Sequence, residues 1–140
     1  MKPRVLVVDD EPDFVELLQF NLGHRGYEIL TAANGVEALH QARRHLPDLI
    51  LLDLMLPDID GASVFDILCA QPSTTDVPVI VVSALTGWMM PNRKNASRLS
   101  AHFQKPVDMQ ALDGAMRKAL AERESKLKPE PAEEGPGSEV

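Results

Sequence analysis

The 140-residue chain has the length of a single domain. Its 44% hydrophobic and 25% charged residues are typical of a globular protein. With 21 acidic against 14 basic residues, the net charge of −7 argues against a protein held on nucleic acid or an anionic membrane by bulk charge. The single cysteine, Cys69, excludes an intramolecular disulfide, and neither a membrane span nor a signal peptide is visible. We therefore expect one cytoplasmic domain without membrane insertion.

Short apolar runs alternate with helical patterns along the chain, which predicts a parallel sheet covered by helices on both faces. In chain order, the pattern predicts strands at 5–8, 27–32, 49–52, 79–82 and 102–104. The first helix begins near Pro12 and is followed by Gly26, in a turn that permits positive φ. Further helices are expected at 36–45, 62–70 and 109–123.

The connection after the fourth strand departs from this regular pattern. Residues 85–92 (LTGWMMPN) contain few strong helix formers, so a loop is expected to about residue 90, followed by a short helix at 91–100. The exposed face of that helix is predicted to be basic through Arg93, Lys94 and Arg98. Two interpretations of the apolar cluster at 88–90 stay open: it covers a sheet edge or a neighbouring helix, or it binds a partner.

The end of the chain has the composition of a disordered segment. Residues 129–140 (PEPAEEGPGSEV) contain three prolines, two glycines and four glutamates. Such a stretch has too little apolar surface to offset the entropy cost of ordering. The sequence therefore predicts a domain at 1–123 and a disordered, acidic, Pro/Gly-rich tail at 124–140.

Polar residues follow the predicted strands at the points where the strands end. Asp9 and Asp10 follow the first strand, and Asp53 follows the third. Ser83 follows the fourth strand and Lys105 the last. Because ligands of an open α/β sheet bind beyond the carboxyl ends of the strands, we expect three carboxylates, a hydroxyl and an ammonium to converge on one edge.

This combination of groups suits phosphoryl transfer. Carboxylates held close together repel one another and need a cation between them, and oxygen ligands with room for water suit Mg²⁺. A carboxylate beside such a metal can attack a phosphoryl group, while the hydroxyl and the ammonium stabilise its oxygens. Alternatively, the acids are helix N-caps and the lysine is a surface residue. This alternative explains any one of the five residues more readily than all five together.

Four motifs carry a resemblance to a known family. They are LVVDDEPD at 6–13, LILLDLMLPDIDG at 49–61, VIVVSA at 79–84 and FQKPV at 103–107, with Pro57 and Gly61 four and eight residues after Asp53. Across about residues 3–122 the chain resembles the receiver domain of two-component response regulators, in its stand-alone, chemotaxis-regulator-like form. The resemblance implies a flavodoxin-like α/β fold, with five parallel strands in the order 2-1-3-4-5 and here an atypical fourth crossover.

The resemblance also implies the roles of the acidic residues. Asp53 is expected to be the phosphoacceptor. Asp10, Asp53 and the backbone carbonyl of Met55 are expected to bind Mg²⁺ directly, and Asp9 through water. Met55 and Leu85 occupy the two positions that flank the path of a hydrolytic water. Since both are apolar, we expect slow self-dephosphorylation.

Further positions correspond to the phosphoryl-binding and switch residues of the family. Ser83 is expected to hydrogen-bond the phosphoryl group and shift toward it, and Lys105 to pair with another phosphoryl oxygen. Lys105 and Pro106 are expected to be joined by a cis peptide bond. The position of the family's switch aromatic holds His102, with Phe103 next to it, so the coupling to Ser83 is expected in altered form.

The function implied is a phosphoacceptor that receives its phosphoryl group from a histidine kinase or phosphotransfer protein. It would signal by protein–protein contact, without direct nucleic-acid binding, to a downstream target that the sequence leaves open. It would catalyse only its own phosphorylation and dephosphorylation, and phosphorylation would promote a homodimer. One alternative is a receiver-like scaffold, which predicts a lost site residue. The other is a small Mg²⁺-dependent phosphatase, which usually needs an acid where Met55 stands.

Overall fold

The computed structural model describes residues 2–85 and 93–127. Its five strands form one parallel sheet in the order β2-β1-β3-β4-β5, which confirms the predicted flavodoxin-like α/β fold. The strands are β1 Arg4–Val8, β2 Glu28–Ala32, β3 Leu49–Leu52, β4 Val79–Ser83 and β5 Leu99–Gln104. The α-helices are α1 Pro12–His24, α2 Gly35–His45, α3 Gly61–Ala70 and α4 Met109–Leu127. Within the described ranges, no helix combines the length and apolarity that a membrane span requires.

The apolar strands are buried because helices cover both faces of the sheet. Successive side chains of a strand point to opposite faces. Val5 and Val7 therefore pack with residues of α1 and α4, while Leu6 and Val8 pack with residues of α2 and α3. Burial of one such side chain contributes about 1.5–3 kcal/mol. Cys69 is half-buried and packs against the cluster that contains residues of α2 and α3, and burial raises the pKa of its thiol.

Local signals at the helix ends explain where the helices begin. The Asn34 side chain accepts the Glu37 N–H at 2.8 Å and caps α2, and the Asp60 side chain caps α3 through the Ser63 N–H at 2.9 Å. After α1, Gly26 has φ +99°, which confirms the predicted turn.

A hydrogen-bond network connects the start of β2 to α4. The Tyr27 hydroxyl donates to Asp113 at 2.6 Å, and Arg117 donates both to Asp113 at 3.2 Å and to the Arg25 carbonyl at 2.9 Å. Partial burial by itself favours the neutral acid, but the hydrogen bonds from Tyr27 and Arg117 lower the pKa of Asp113. This network holds α4 against the edge of the core.

Three elements differ from the predictions by more than one residue at an end. The predicted helix at 91–100 is a 3₁₀ helix at Arg93–Arg98, and Leu99 and Ser100 already belong to β5. As an edge strand, β5 alternates half-buried and exposed residues, so it lacks the continuous apolar run that marks the central strands. Helix α4 continues past the predicted end at 123 to Leu127, since no helix breaker precedes Pro129. Residues 86–92, which hold most of the predicted loop, the cluster at 88–90 and the first two residues of the predicted helix, lie outside the described residues, as do residues 128–140, and the domain boundary stays a prediction.

Candidate functional site

The parallel ladders continue just past the ends of the strands. Asp53 donates its backbone N–H to the Val8 carbonyl at 2.9 Å, and Lys105 donates its own to the Ser83 carbonyl at 2.9 Å. Asp9 likewise donates its backbone N–H to the carbonyl of Ala32, at the end of β2, at 3.0 Å. These bonds fix the backbone of all three residues at the carboxyl edge of the sheet, where ligands of such folds bind.

Three carboxylates meet at this edge. Asp9, Asp10 and Asp53 each offer an oxygen within 4.8 Å of the others; Asp9 and Asp53 are buried, whereas Asp10 is exposed. At 4.8 Å, two unit charges repel by about 3.5 kcal/mol when the effective dielectric constant is about 20. Burial raises the pKa of Asp9, which is opposed mainly by its hydrogen bond to Lys105. An oxygen-only set with one exposed member fits a hard cation that keeps part of its water, such as Mg²⁺.

The Lys105 ammonium is the positive charge that the structure places against this cluster. Its Nζ lies 2.8 Å from Asp9, 3.3 Å from Asp53 and 2.6 Å from Glu11. It also lies 4.3 Å from the centroid of the Phe14 ring, an arrangement that attracts a cation. Burial alone would lower the pKa of Lys105, but the hydrogen bonds to Asp9 and Glu11 raise it above its usual value. Lys105 is therefore charged throughout the physiological pH range.

Two contacts of Lys105 were missed by the sequence analysis. Neither Glu11 nor Phe14 has a role in the site predicted from the sequence. Their partner is more than 90 residues away in the chain, and no spacing rule indicates it. The Lys105-Pro106 peptide bond is cis, as the resemblance implied.

The expected switch residues lie at the ends of β4 and β5. Ser83 is fully buried, and its Oγ accepts the backbone N–H of Leu85 at 3.2 Å. Phe103 is half-buried and packs with the α1/α4 cluster, while His102 is exposed on the outer strand. Their coupled movement on phosphorylation stays a prediction.

The loop after Asp53 contacts the carboxylate of that residue. The Met55 N–H donates to Asp53 Oδ1 at 3.1 Å, and the Gly61 N–H donates to the Leu54 carbonyl at 2.8 Å. A Cβ atom at Gly61 would lie 2.3 Å from the carbonyl oxygen of Asp53, so only glycine fits this approach. Met55 and Leu85 are 56% and 38% exposed, at the rim of the site.

The strand order and the position of the acidic cluster define a doubly wound α/β protein with a candidate cation site at the carboxyl edge of its sheet. A family model described as the response regulator receiver domain matches residues 5–117. The chain therefore belongs to the receiver domain family of two-component response regulators.

Individual relatives agree with this assignment. The chain is 42% identical over 108 residues to the response regulator PleD of Caulobacter vibrioides. The aligned region covers 77% of this chain and 24% of PleD. The curated relatives are longer proteins, of which this chain spans about a quarter to a half. They include response regulators and transcriptional regulators.

Several solved structures with the same fold are more than a quarter identical to this chain. A sensor protein from Polaromonas superposes with a TM-score of 0.80 at 28% identity, over 88% of this chain and 99% of that one. The response regulator TrrA of Thermotoga maritima superposes with a TM-score of 0.73 at 34% identity, over 85% of this chain and 99% of that one. TrrA was solved in complex with Mg²⁺ and beryllium fluoride.

Proposed function

We propose that Asp53 is the phosphoacceptor of a two-component phosphorelay and receives its phosphoryl group from a histidine kinase or phosphotransfer protein. Membership of the receiver family gives the general role in two-component signalling. The observation that carries the assignment to Asp53 is its buried carboxylate, which lies within 4.8 Å of oxygens of Asp9 and Asp10 and 3.3 Å from the Lys105 ammonium.

The reaction is a transfer between two nucleophiles. An oxygen of the Asp53 carboxylate attacks the phosphorus of the donor phosphohistidine. The P–O bond forms as the P–N bond breaks, and the imidazole nitrogen leaves with the electron pair. Lys105 is close enough to Asp53 to pair with an oxygen of the transferred group, and Ser83 supplies a hydroxyl from the adjacent strand.

The acidic residues supply the ligands that a divalent cation requires. We assign Asp10, Asp53 and the Met55 backbone carbonyl as direct Mg²⁺ ligands, with Asp9 holding the ion through water. The donor oxygens of the three aspartates lie within 4.8 Å of one another, which supports this set. When bound, Mg²⁺ neutralises the charge that develops on the phosphoryl oxygens.

The output is protein–protein contact. Ser83, His102 and Phe103 form the switch, and phosphorylation promotes a homodimer through the last crossovers. The acidic net charge of −7 supports an output without direct nucleic-acid binding by this chain. A phosphorylation-dependent module of this kind works in the cytoplasm, with its domain at 1–123 and the tail at 124–140, of which residues 124–127 continue helix α4.

Intact-mass spectrometry tests the proposed phosphoacceptor. The wild-type chain and Asp53→Asn are incubated with Mg²⁺ and acetyl phosphate, with EDTA as the metal control. We expect one phosphoryl adduct in the wild type, and none in Asp53→Asn or in EDTA. The same samples are then offered a phosphorylated histidine kinase. A folded wild type that accepts no phosphoryl group from either donor overturns the proposal and favours the scaffold.

A further inference from the structure

The loop that follows the phosphoacceptor is bonded to a distant helix. Asp58 accepts the backbone N–H of Gly35 at 2.7 Å and that of Val36 at 2.9 Å, both in the first turn of α2. It also accepts the N–H of Ile59 at 2.7 Å. The hydrogen bonds from Val36 and Gly35 lower the pKa of Asp58, so these bonds are made by a charged carboxylate at neutral pH.

Helix α2 has a cap of its own besides Asp58. The Asn34 side chain accepts the Glu37 N–H at 2.8 Å, as an N-cap residue does. The Asp58 carboxylate accepts the N–H groups of Gly35 and Val36, which precede Glu37. Asp58 lies outside the helix, 22 to 23 residues further along the chain. Its specific effect is therefore to fix the loop of residues 54–60 on α2.

The packing between the loop and α2 depends on a glycine. A Cβ atom at Gly35 would lie 3.0 Å from Ile59 Cβ and 3.3 Å from Asp58 Oδ1. Such distances are tighter than ordinary van der Waals contact. The absence of a side chain at this position lets the loop approach the helix closely enough for the carboxylate to reach both N–H groups.

The other end of the same loop reaches the phosphoacceptor. The Met55 N–H donates to Asp53 Oδ1 at 3.1 Å. Met55 and Pro57 are exposed, whereas Leu54 is buried and Leu56 packs against the core cluster that contains residues of α2 and α3. The Met55 side chain itself adds little burial, so the hydrogen bonds at the two ends of the loop, to Asp53 and through Asp58 to α2, act together with the packing of Leu54 and Leu56 to position the Met55 backbone.

We propose that Asp58 is a positioning residue for the phosphoacceptor site: by anchoring the loop on α2, it holds the Met55 backbone in place and thereby orients the Asp53 carboxylate. This inference rests on the proposed function of Asp53. Loss of a group that orients a metal ligand typically weakens metal affinity about 10–100-fold, and we expect a loss in that range for Asp58→Ala.

The test compares Asp58→Ala and Asp58→Asn with Asn34→Ala, which removes a cap from the same helix without releasing the loop. The readouts are the Mg²⁺ dissociation constant by calorimetry, the Met55 amide NMR signal in metal-free protein and the rate of phosphorylation by acetyl phosphate. Asp58→Ala should weaken Mg²⁺ binding and move the Met55 signal. Asp58→Asn, which keeps one acceptor oxygen, should recover part of the affinity. Asn34→Ala should lower the melting temperature but keep the wild-type dissociation constant.

The outcomes separate this inference from the proposed function. If the wild type is phosphorylated and both Asp58 variants bind Mg²⁺ as the wild type does, the positioning role is wrong and the proposed function stands. If Asn34→Ala weakens Mg²⁺ binding as much as Asp58→Ala, the effect comes from helix stability and the inference is also overturned. A wild type that is not phosphorylated overturns the function itself. If Asp58→Ala does not fold, the Mg²⁺ affinity and the Met55 amide signal of Asp58→Asn decide whether the positioning role is correct.

Discussion

Replacement of Gly61 by alanine tests how closely Asp53, the proposed phosphoacceptor, depends on the backbone beneath it. The added Cβ would lie 2.3 Å from the Asp53 carbonyl oxygen and 2.5 Å from Leu54 Cα, whereas ordinary contact begins at 3.4 Å. Because these atoms belong to the backbone, about 1 Å of movement must be taken up by the chain segment that carries Asp53. Overpacking of this kind costs about 1–3 kcal/mol of the free energy of unfolding.

The same movement should impair phosphoryl transfer. A displacement of about 1 Å in a reacting group can lower a rate about 100-fold, so we expect a loss of that order in the phosphorylation of Gly61→Ala. The assay is time-resolved intact-mass spectrometry with acetyl phosphate and Mg²⁺, beside chemical denaturation.

Gly114→Ala is the matched control. A Cβ atom at Gly114 would meet nothing within 4 Å, and the residue lies inside α4. This variant should gain up to about 1 kcal/mol in stability and keep the wild-type rate. A Gly61→Ala protein with wild-type stability and rate would refute the argument.

Three further predictions concern the metal, the lifetime of the phosphoryl group and the response to pH. At a Mg²⁺ concentration about 100 times the dissociation constant of the wild type, the ion should raise the wild-type free energy of unfolding by about 2.7 kcal/mol, and that of Asp10→Asn by much less. Equal thermal shifts in the two proteins would contradict the assignment of Asp10 as a ligand. Met55→Asn should speed the loss of the phosphoryl group from Asp53, because an amide can orient the hydrolytic water; an unchanged decay rate, followed by mass spectrometry, would contradict the expected hindrance. Asp113→Asn should lower the free energy of unfolding by about 1 kcal/mol at neutral pH, because the charged acceptor of the Tyr27 hydroxyl becomes neutral. Because folding lowers the pKa of Asp113, this difference should be complete above the unfolded-state pKa and shrink as the pH falls below about 4. Denaturation curves at several pH values would show a constant difference if the reasoning were wrong.

The parts of the fold that the sequence predicted correctly are those encoded locally. The run LILL is β3 within its predicted bounds, and the positive φ at Gly26 follows from the turn after α1. The acidic cluster was also predictable, because the fold rule about strand ends brings Asp9 and Asp53 together without further information.

The parts that could not be predicted depend on contacts between distant residues. The start of β5 at Leu99 is determined by pairing with Val79 of β4, and the alternating edge strand gives no continuous apolar signal. The Asp58 bonds to α2 join residues 22 to 23 positions apart. In the sequence, Asp58 is one more turn residue of a loop rich in aspartate, and only the packing of α2 against that loop gives it a partner.

The four-way contact of Lys105 has a consequence for the order of events at the site. In the metal-free protein, this one ammonium contacts three carboxylates and one aromatic ring. Because one positive charge cannot neutralise three carboxylates, the acidic edge stays strongly negative. Conversion of the Asp53 carboxylate to an acyl phosphate adds further negative charge to the same edge. A divalent cation lowers that charge in advance, so metal binding and phosphorylation should strengthen each other by the same factor. The receiver would then accept a phosphoryl group only when its Mg²⁺ supply is adequate, and the phosphorylated form would retain the ion more tightly than the unphosphorylated form.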